Sequence, residues 1–287
     1  METAADAPER VLSLVREHSG REYSLVSRAK AGEQGAYIVE DREGRRFILK
    51  YSRNSDSTPL RFKQITSRLR SAGYPVPEYV HVGSASGLGW VIQTMLRGTP
   101  RPAFAPENVR ELLTLNEIQA GRSAGLEAAW PQRPIEGVMR GYDGYCVIET
   151  MRRHSRESAA MLEHLQDLVT RCSAADFTTR DLVHWDFNPA NILIDDGHIS
   201  GVVDWEGACA GDRAFDLVTL LFYRYKSAAE RDLLWRYIRD NFDLNTIRVY
   251  AAHMIVRQVE WSLRRQTQRH VEHYTEIAQA MLADLGS

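Results

Sequence analysis

The polar segment His184-Trp185-Asp186-Phe187-Asn188-Pro189-Ala190-Asn191 runs straight into the apolar Ile192-Leu193-Ile194. Thirteen residues beyond Asn191, a second apolar run, Gly201-Val202-Val203, ends in Asp204-Trp205-Glu206. A polar loop followed by an apolar hairpin brings two separate sets of polar side chains near one another. Asp186 is a carboxylate able to take a proton, and Asn191 and Asp204 offer oxygens of the kind a hard cation such as Mg2+ prefers. His184 stands two residues before Asp186, so alternation along an extended segment turns both to one face. Each residue also has an ordinary role open to it. His184 beside a buried strand fits a structural histidine, and Asp204 and Asp212 fit turn residues. For Asp204, the strand before it and the paired Asn191 favour the metal role.

Working outward, the charge is unevenly spread. Residues 181–216 hold eight Asp/Glu against Arg213 alone, and residues 42–70 hold nine Lys/Arg against Glu43 and Asp56, in a chain of formal charge −2. Either half alone would be an ordinary solvated face. Together they suit an anionic ligand gripped from one side and divalent cations held from the other. Of 36 basic residues only Lys30, Lys50, Lys63 and Lys226 are lysines. Lysine and arginine are not interchangeable at a chemical site, which singles out Lys50 at the end of Phe47-Ile48-Leu49. A lysine in an apolar strand ordinarily snorkels at a sheet edge.

The 287 residues, 44% hydrophobic and 26% charged, are those of a soluble globular chain of one or two domains. The net charge points to no nucleic-acid partner and no membrane partner. No apolar stretch is long enough to span a bilayer. Cys146, Cys172 and Cys209 form no Cys-x-x-Cys pair, which fits a reducing, cytoplasmic setting. Apolar spacing predicts a helix over 6–18 and strands over 23–29, 36–41 and 46–52, with a hairpin turn at Asp41-Arg42-Glu43-Gly44. A helix over 59–72, with Leu60, Ile65 and Leu69 inward, and strands over 79–82 and 89–95 follow. Beyond Pro100 the spacing is helical over 107–120, 155–173, 216–225, 230–241 and most of 245–285. The expectation is an α+β chain: a small antiparallel β lobe with one crossing helix over 1–95, and a larger, mainly helical lobe over 96–287.

His-x-Asp-x-x-x-x-Asn followed by an apolar strand and Asp-Trp-Glu resembles the catalytic core of the aminoglycoside phosphotransferase family, whose members share a bilobal protein-kinase-like fold. The continuation Gly211-Asp212-Arg213-Ala214-Phe215-Asp216-Leu217 is similar to the family's entry into its next helix. Phe47-Ile48-Leu49-Lys50 and Gln93-Thr94-Met95-Leu96 fall where the family has its phosphate-binding lysine and its purine-holding hinge. The resemblance implies that Asp186 is the catalytic base and that Asn191 and Asp204 hold Mg2+ on the phosphates of ATP or GTP. It implies contacts from Lys50 to the α- and β-phosphates, from Gly32 and Gly35 to the phosphates, and from Gln93, Thr94 and Leu96 to the purine. His184, Asn188 and Asp216 are implied as supporting residues of the loop.

The chain departs from kinase-like patterns in three places. Residues 59–77 contain no acid to pair with the strand lysine, leaving Gln64 nearest to that place and Glu33 or Asp204 as other partners for Lys50. Gly32 and Gly35 do not complete a three-glycine phosphate loop, and no Gly-Lys-Ser/Thr follows them. Asn188 stands where protein kinases carry a lysine. Only eleven residues separate Asp204 from Asp216 and no Ala-Pro-Glu follows, which leaves no room for an activation loop. That argues against a protein kinase and for a small hydroxylated acceptor; a monomer is the expected state. The resemblance implies an antibiotic such as an aminoglycoside, with choline, homoserine, thiamine or sugars as alternatives. A catalytically silent nucleotide-binding module would have no need of Asp186, Asn191 and Asp204 together. Residues 101–171 hold nine Arg against ten acids, so a cation-binding pocket would need Glu149, Glu157, Asp240, Asp243 and Glu260 to converge.

Overall fold

In the computed structural model, residues 8–29, 36–53, 58–123, 125–126, 130–142, 144–172 and 174–286 are described. They form, in chain order, α1 (Pro8–Ser19), β1 (Tyr23–Arg28), β2 (Tyr37–Asp41), β3 (Arg46–Arg53), α2 (Thr58–Ser71), β4 (Tyr79–Ala85) and β5 (Leu88–Thr94). Helices α3 (Pro106–Ile118), α4 (Gln132–Met139), α5 (Ile148–His154) and α6 (Arg156–Cys172) follow. Next come β6 (Asp181–Val183), β7 (Ile192–Asp195), β8 (His198–Val202) and β9 (Cys209–Gly211). The last elements are α7 (Ala214–Arg224), α8 (Ala228–Asn241), α9 (Leu244–Arg265) and α10 (Gln268–Asp284). The chain divides into two compact units, Met1–Thr99 with Ile192–Glu206, and Pro100–Asn191 with Gly207–Ser287. The expected division at 95/96 thus falls four residues later, and the hairpin β7–β8 groups with the first unit.

In the first unit the five strands β1-β2-β3-β5-β4 make one antiparallel sheet in that order. Asp41 closes the β2–β3 turn by accepting the amides of Glu43 and Arg45 at 3.1 and 2.9 Å. Alternation sends Leu49 to one face, where Val39, Trp90 and Ile92 pack with Val11, Leu12 and Val15 of α1. Lys50 therefore points to the opposite face, beside Val91, its partner across the β3–β5 ladder. Helix α2 buries Phe62, Ile65 and Leu69, while Leu60, expected inward, is 57% exposed. The β7–β8 hairpin is tied down within this unit. Ile194 and Thr99 exchange backbone bonds at 3.0 and 3.1 Å, Val202 donates to Pro75 at 2.7 Å, and Tyr74 meets the Trp205 ring edge-on at 5.4 Å.

The second unit is built around α9, which buries Ile247, Tyr250, Met254, Ile255 and Val259. Its N-cap is Asp243, whose carboxylate accepts the Thr246 amide at 2.8 Å. The helical spacing over most of 245–285 is realised as two helices, divided at Gln266 and Thr267, where the backbone turns extended. Residues 264–270 carry no apolar side chain to bury, so nothing holds the helix straight through them. Helices α4 and α5 were not expected, being only 8 and 7 residues long, the first interrupted by Pro134 and Gly137. Among the described residues, no helix is long and apolar enough to cross a membrane.

Candidate active site

In the first unit, the chemistry-bearing group is the Lys50 ammonium. It donates to Asp204 Oδ1 at 2.8 Å and to Glu206 Oε2 at 3.2 Å, and the other Glu206 oxygen accepts the Tyr79 hydroxyl at 3.2 Å. Burial works against the charge on Lys50, but Glu206 and Asp204 outweigh it and its pKa is raised. Burial also pushes Glu206 up, to about 7, against the pull of Lys50 and with the help of Asp204. Asp204 itself sits at φ 71, in the left-handed region that few non-glycine residues adopt. Such strain is kept where the surroundings over-determine it, as the two-pronged lysine contact does here.

In the second unit, β6 leads into the loop that carries Asp186. One carboxylate fixes that loop from beneath. Asp216, fully buried in the first turn of α7, accepts the amides of His184 and Trp185 at 2.7 and 3.0 Å and the Gln119 side chain at 2.7 Å. Burial raises its pKa, and these donors oppose the rise. Above the loop, Asn191 donates from Nδ2 to the Asp186 carbonyl at 2.9 Å and to its Oδ2 at 3.2 Å. Asn188 accepts the Ala190 amide at 2.8 Å, an Asx turn that hands the chain on to Asn191. His184 is wholly buried and accepts the Asp186 amide at Nδ1.

Trp185 is held at φ 76, its ring stacked on Phe215 at 4.7 Å on one side and covered by the Arg133 guanidinium, 3.7 Å from the ring centre. Beside it, His253 Nδ1 donates to the Pro134 carbonyl at 3.0 Å, so His253 Nε2 accepts the Tyr145 hydroxyl at 2.9 Å. Burial first, and then Arg257, depress the His253 pKa to about 3, so the ring is neutral. Arg257 of α9 donates to the Trp185 carbonyl at 2.9 Å and to Asp186 Oδ1 at 2.6 Å.

The expected site residues are therefore distributed as follows. Asp186, Asn191, Asn188, His184 and Asp216 form one connected network, and Lys50 and Asp204 form another. Gln93 and Thr94 lie inside β5, and the Thr94 amide is spent on the Glu78 carbonyl at 2.9 Å. Leu96, past the strand's end, packs its side chain against Gly201. Gly32 and Gly35 lie outside the described residues, as does Glu33. Glu206 and Arg257 were not singled out from sequence. Glu206 was within reach, as a second acid two residues after Asp204. Arg257 gave a weaker signal, one arginine inside the largely apolar run 249–259 of a helix, where a charge implies a buried partner.

Among the described residues, no group of three or more His, Cys, Asp or Glu is placed to hold a metal unaided. A magnesium ion that arrives with nucleotide phosphates needs only one or two protein oxygens. Asn191 fits that use, because its amide nitrogen is committed to Asp186 while its Oδ1 accepts no bond among the described residues.

A carboxylate pinned by a buried aspartate and an asparagine, on a loop feeding a short hairpin, is the arrangement of a kinase-like phosphotransferase. The sequence profile of the phosphotransferase enzyme family (APH) matches residues 26–253, and the chain belongs to that family. It is 24% identical over 209 residues to the hygromycin-B 4-O-kinase of Escherichia coli, a match covering 67% of this chain and 60% of that enzyme. The chain thus spans less than two thirds of that relative's length. Its fold is that of crystallised aminoglycoside phosphotransferase APH(4)-Ia (TM-score 0.73, 19% identity, 98% of this chain and 100% of that one). Choline kinase LicA from Streptococcus pneumoniae is also similar (TM-score 0.68, 11% identity, 95% and 99% covered).

Proposed function

We propose that this protein transfers the γ-phosphoryl group of ATP or GTP to a hydroxyl of a small molecule. The observation that carries the reading is the Asp186 carboxylate, 32% exposed, on a loop tied down by Asp216 and bonded to Asn191. Asp186 takes the acceptor's hydroxyl proton as the oxygen–phosphorus bond forms. The bond from the γ-phosphorus to the bridging oxygen breaks, and its electron pair leaves with the nucleoside diphosphate. Such a reaction asks the protein mainly for positioning and charge neutralisation. Asn191 and Asp204 would hold Mg2+, which when bound neutralises phosphate charge. Lys50, held by Asp204 and Glu206, reaches the α- and β-phosphates. The purine lies along Gln93, Thr94 and Leu96. With the Thr94 amide committed to Glu78, the backbone contact to the base falls after the strand, at residues 95–96.

The family and the hygromycin-B 4-O-kinase likeness support an antibiotic acceptor. A second reading, a metabolic acceptor that is not a polycation, is favoured by the state of the acids that a cationic drug would need. Glu149 is paired with Arg152 and Arg153, Glu260 with Arg264, and Asp243 caps α9, so these three acids already have partners. The test is turnover by purified protein with Mg2+ and ATP or GTP, across hygromycin B, other aminoglycosides, macrolides, choline, homoserine and thiamine. One acceptor should stimulate it, and Asp186→Ala should lower that rate by roughly 10^2–10^4-fold, the span of general-base catalysis. Stimulation that survives in Asp186→Ala removes the base from its role.

A further inference from the structure

Protein kinases carry a lysine where this chain has Asn188, and the structure returns a cation to the loop from elsewhere. We propose that Arg257 is a positioning residue for Asp186, locking one carboxylate oxygen so that the other faces the acceptor hydroxyl. The inference rests on Asp186 being the base. Two nitrogens of one planar guanidinium are used at once, Nη2 on Asp186 Oδ1 at 2.6 Å and Nη1 on the Trp185 carbonyl at 2.9 Å. A fork with both prongs engaged fixes the carboxylate relative to the backbone of its own loop, which a single ammonium cannot do. The Tyr145 ring stands 5.6 Å from the guanidinium carbon and limits its swing. Burial disfavours the charge on Arg257, but Tyr145 and Asp186 outweigh it and the pKa is raised, so the cation persists.

The partner oxygen is treated differently. Among the described residues Oδ2 receives only the Asn191 amide, at 3.2 Å, and is the oxygen left with capacity for a proton. The loop itself does not depend on Arg257 for its course. Asp216 already holds the amides of His184 and Trp185, and Asn191 holds the Asp186 carbonyl. The contact thus adds orientation to a carboxylate whose backbone is already fixed, and a carboxylate misplaced by an ångström costs about 100-fold in rate.

The test uses the full-length protein in two readouts. The first needs no acceptor: the side-chain nitrogen NMR signals of Arg257, assigned by their loss in Arg257→Gln, should show restricted guanidinium rotation in the parent protein. That restriction should weaken in Asp186→Ala, which removes the carboxylate prong and leaves the one on the Trp185 carbonyl. Unchanged signals in Asp186→Ala overturn the proposal, whatever the acceptor panel shows. The second is steady-state turnover with the acceptor that the panel identifies. Arg257→Gln should lower kcat by about 100-fold with both KM values within about 2-fold. Arg257→Lys, which keeps the charge and much of the volume, should recover about 10-fold of that loss. An unchanged kcat, or a raised acceptor KM at constant kcat, overturns it, the latter making Arg257 an acceptor-binding group instead. If the parent protein turns over nothing on the panel, the proposed function fails while the NMR result still decides whether Arg257 holds Asp186.

Discussion

At the scale of single residues, the strand lysine finds its acidic partners outside the helix that follows it. Helix α2 and the turn after it, residues 59–77, have no acid to offer Lys50. The structure supplies two carboxylates from the segment after β8, Asp204 and Glu206, both on the first unit. If Asp204 is drawn to a metal when nucleotide binds, Glu206 is what keeps the ammonium in place. Glu206→Gln keeps the shape and removes the charge, and should raise the nucleotide KM or lower kcat so that kcat/KM for nucleotide falls about 10-fold, the worth of one partly exposed charged hydrogen bond. Steady-state kinetics with nucleotide varied reads it, and an unchanged ratio would assign the lysine wholly to Asp204. In sequence, Asp204 is legible beside Glu33 as an alternative to the missing helix acid, and Glu206 stands two residues beyond Asp204 in the same Asp-Trp-Glu motif. Arg257 could not be paired with Asp186 from sequence at all, since 71 residues separate them and only the packing of α9 brings them together.

At the scale of elements, strands and long helices were legible because period-two and period-3.6 patterns survive in them, and the β2–β3 turn announced itself through Asp41 and Gly44. Failures came where tertiary contact overrides pattern. Leu60 has the right spacing on α2 yet points to solvent, and Phe62 takes the inward place. Helix α4 contains a proline and a glycine, both of which argue against a helix on propensity alone. Its Gly137 has a packing reason to be there. A Cβ at that position would stand 2.6 Å from two atoms of the His253 ring, so α4 can lie on α9 only because the side chain is missing. Gly137→Ala must push α4 or the His253 ring aside, disturbing the ring's bonds to Pro134 and Tyr145. It should destabilise the protein by about 1–3 kcal/mol, the usual cost of overpacking. Denaturant unfolding measures this, and a neutral or stabilising result would mean that α4 slides freely over α9.

At the scale of the whole molecule, the acidity of residues 181–216 is largely consumed by structure, which no count of charges could reveal. Asp181 holds the Gly121 amide at 2.8 Å, Asp216 holds the loop that carries Asp186, and Asp212 accepts the Ala214 amide at 2.9 Å and the Tyr250 hydroxyl at 3.0 Å. Burial lifts Asp212 to about 6, so folding raises its pKa above the ordinary 3.8. The stability this group contributes is present in full below pH 3.8 and is lost as the pH rises through 6. His253 does the reverse. Its pKa falls from 6.5 to about 3 on folding, so its contribution is present above pH 6.5 and is lost as the pH falls through 3. Between pH 4 and 6 the two slopes are opposite, and each reaches at most about 1.4 kcal/mol per pH unit. They largely cancel, so this pair adds little net pH dependence across that range. Asp212→Asn removes one side of the balance and leaves His253 unopposed. Relative to the parent protein, this variant should lose roughly 2–3 kcal/mol of additional stability between pH 6 and pH 4. Denaturant midpoints measured at half-unit steps across that range would show it, and two parallel curves would mean that Asp212 does not titrate there, leaving the acid response to other groups.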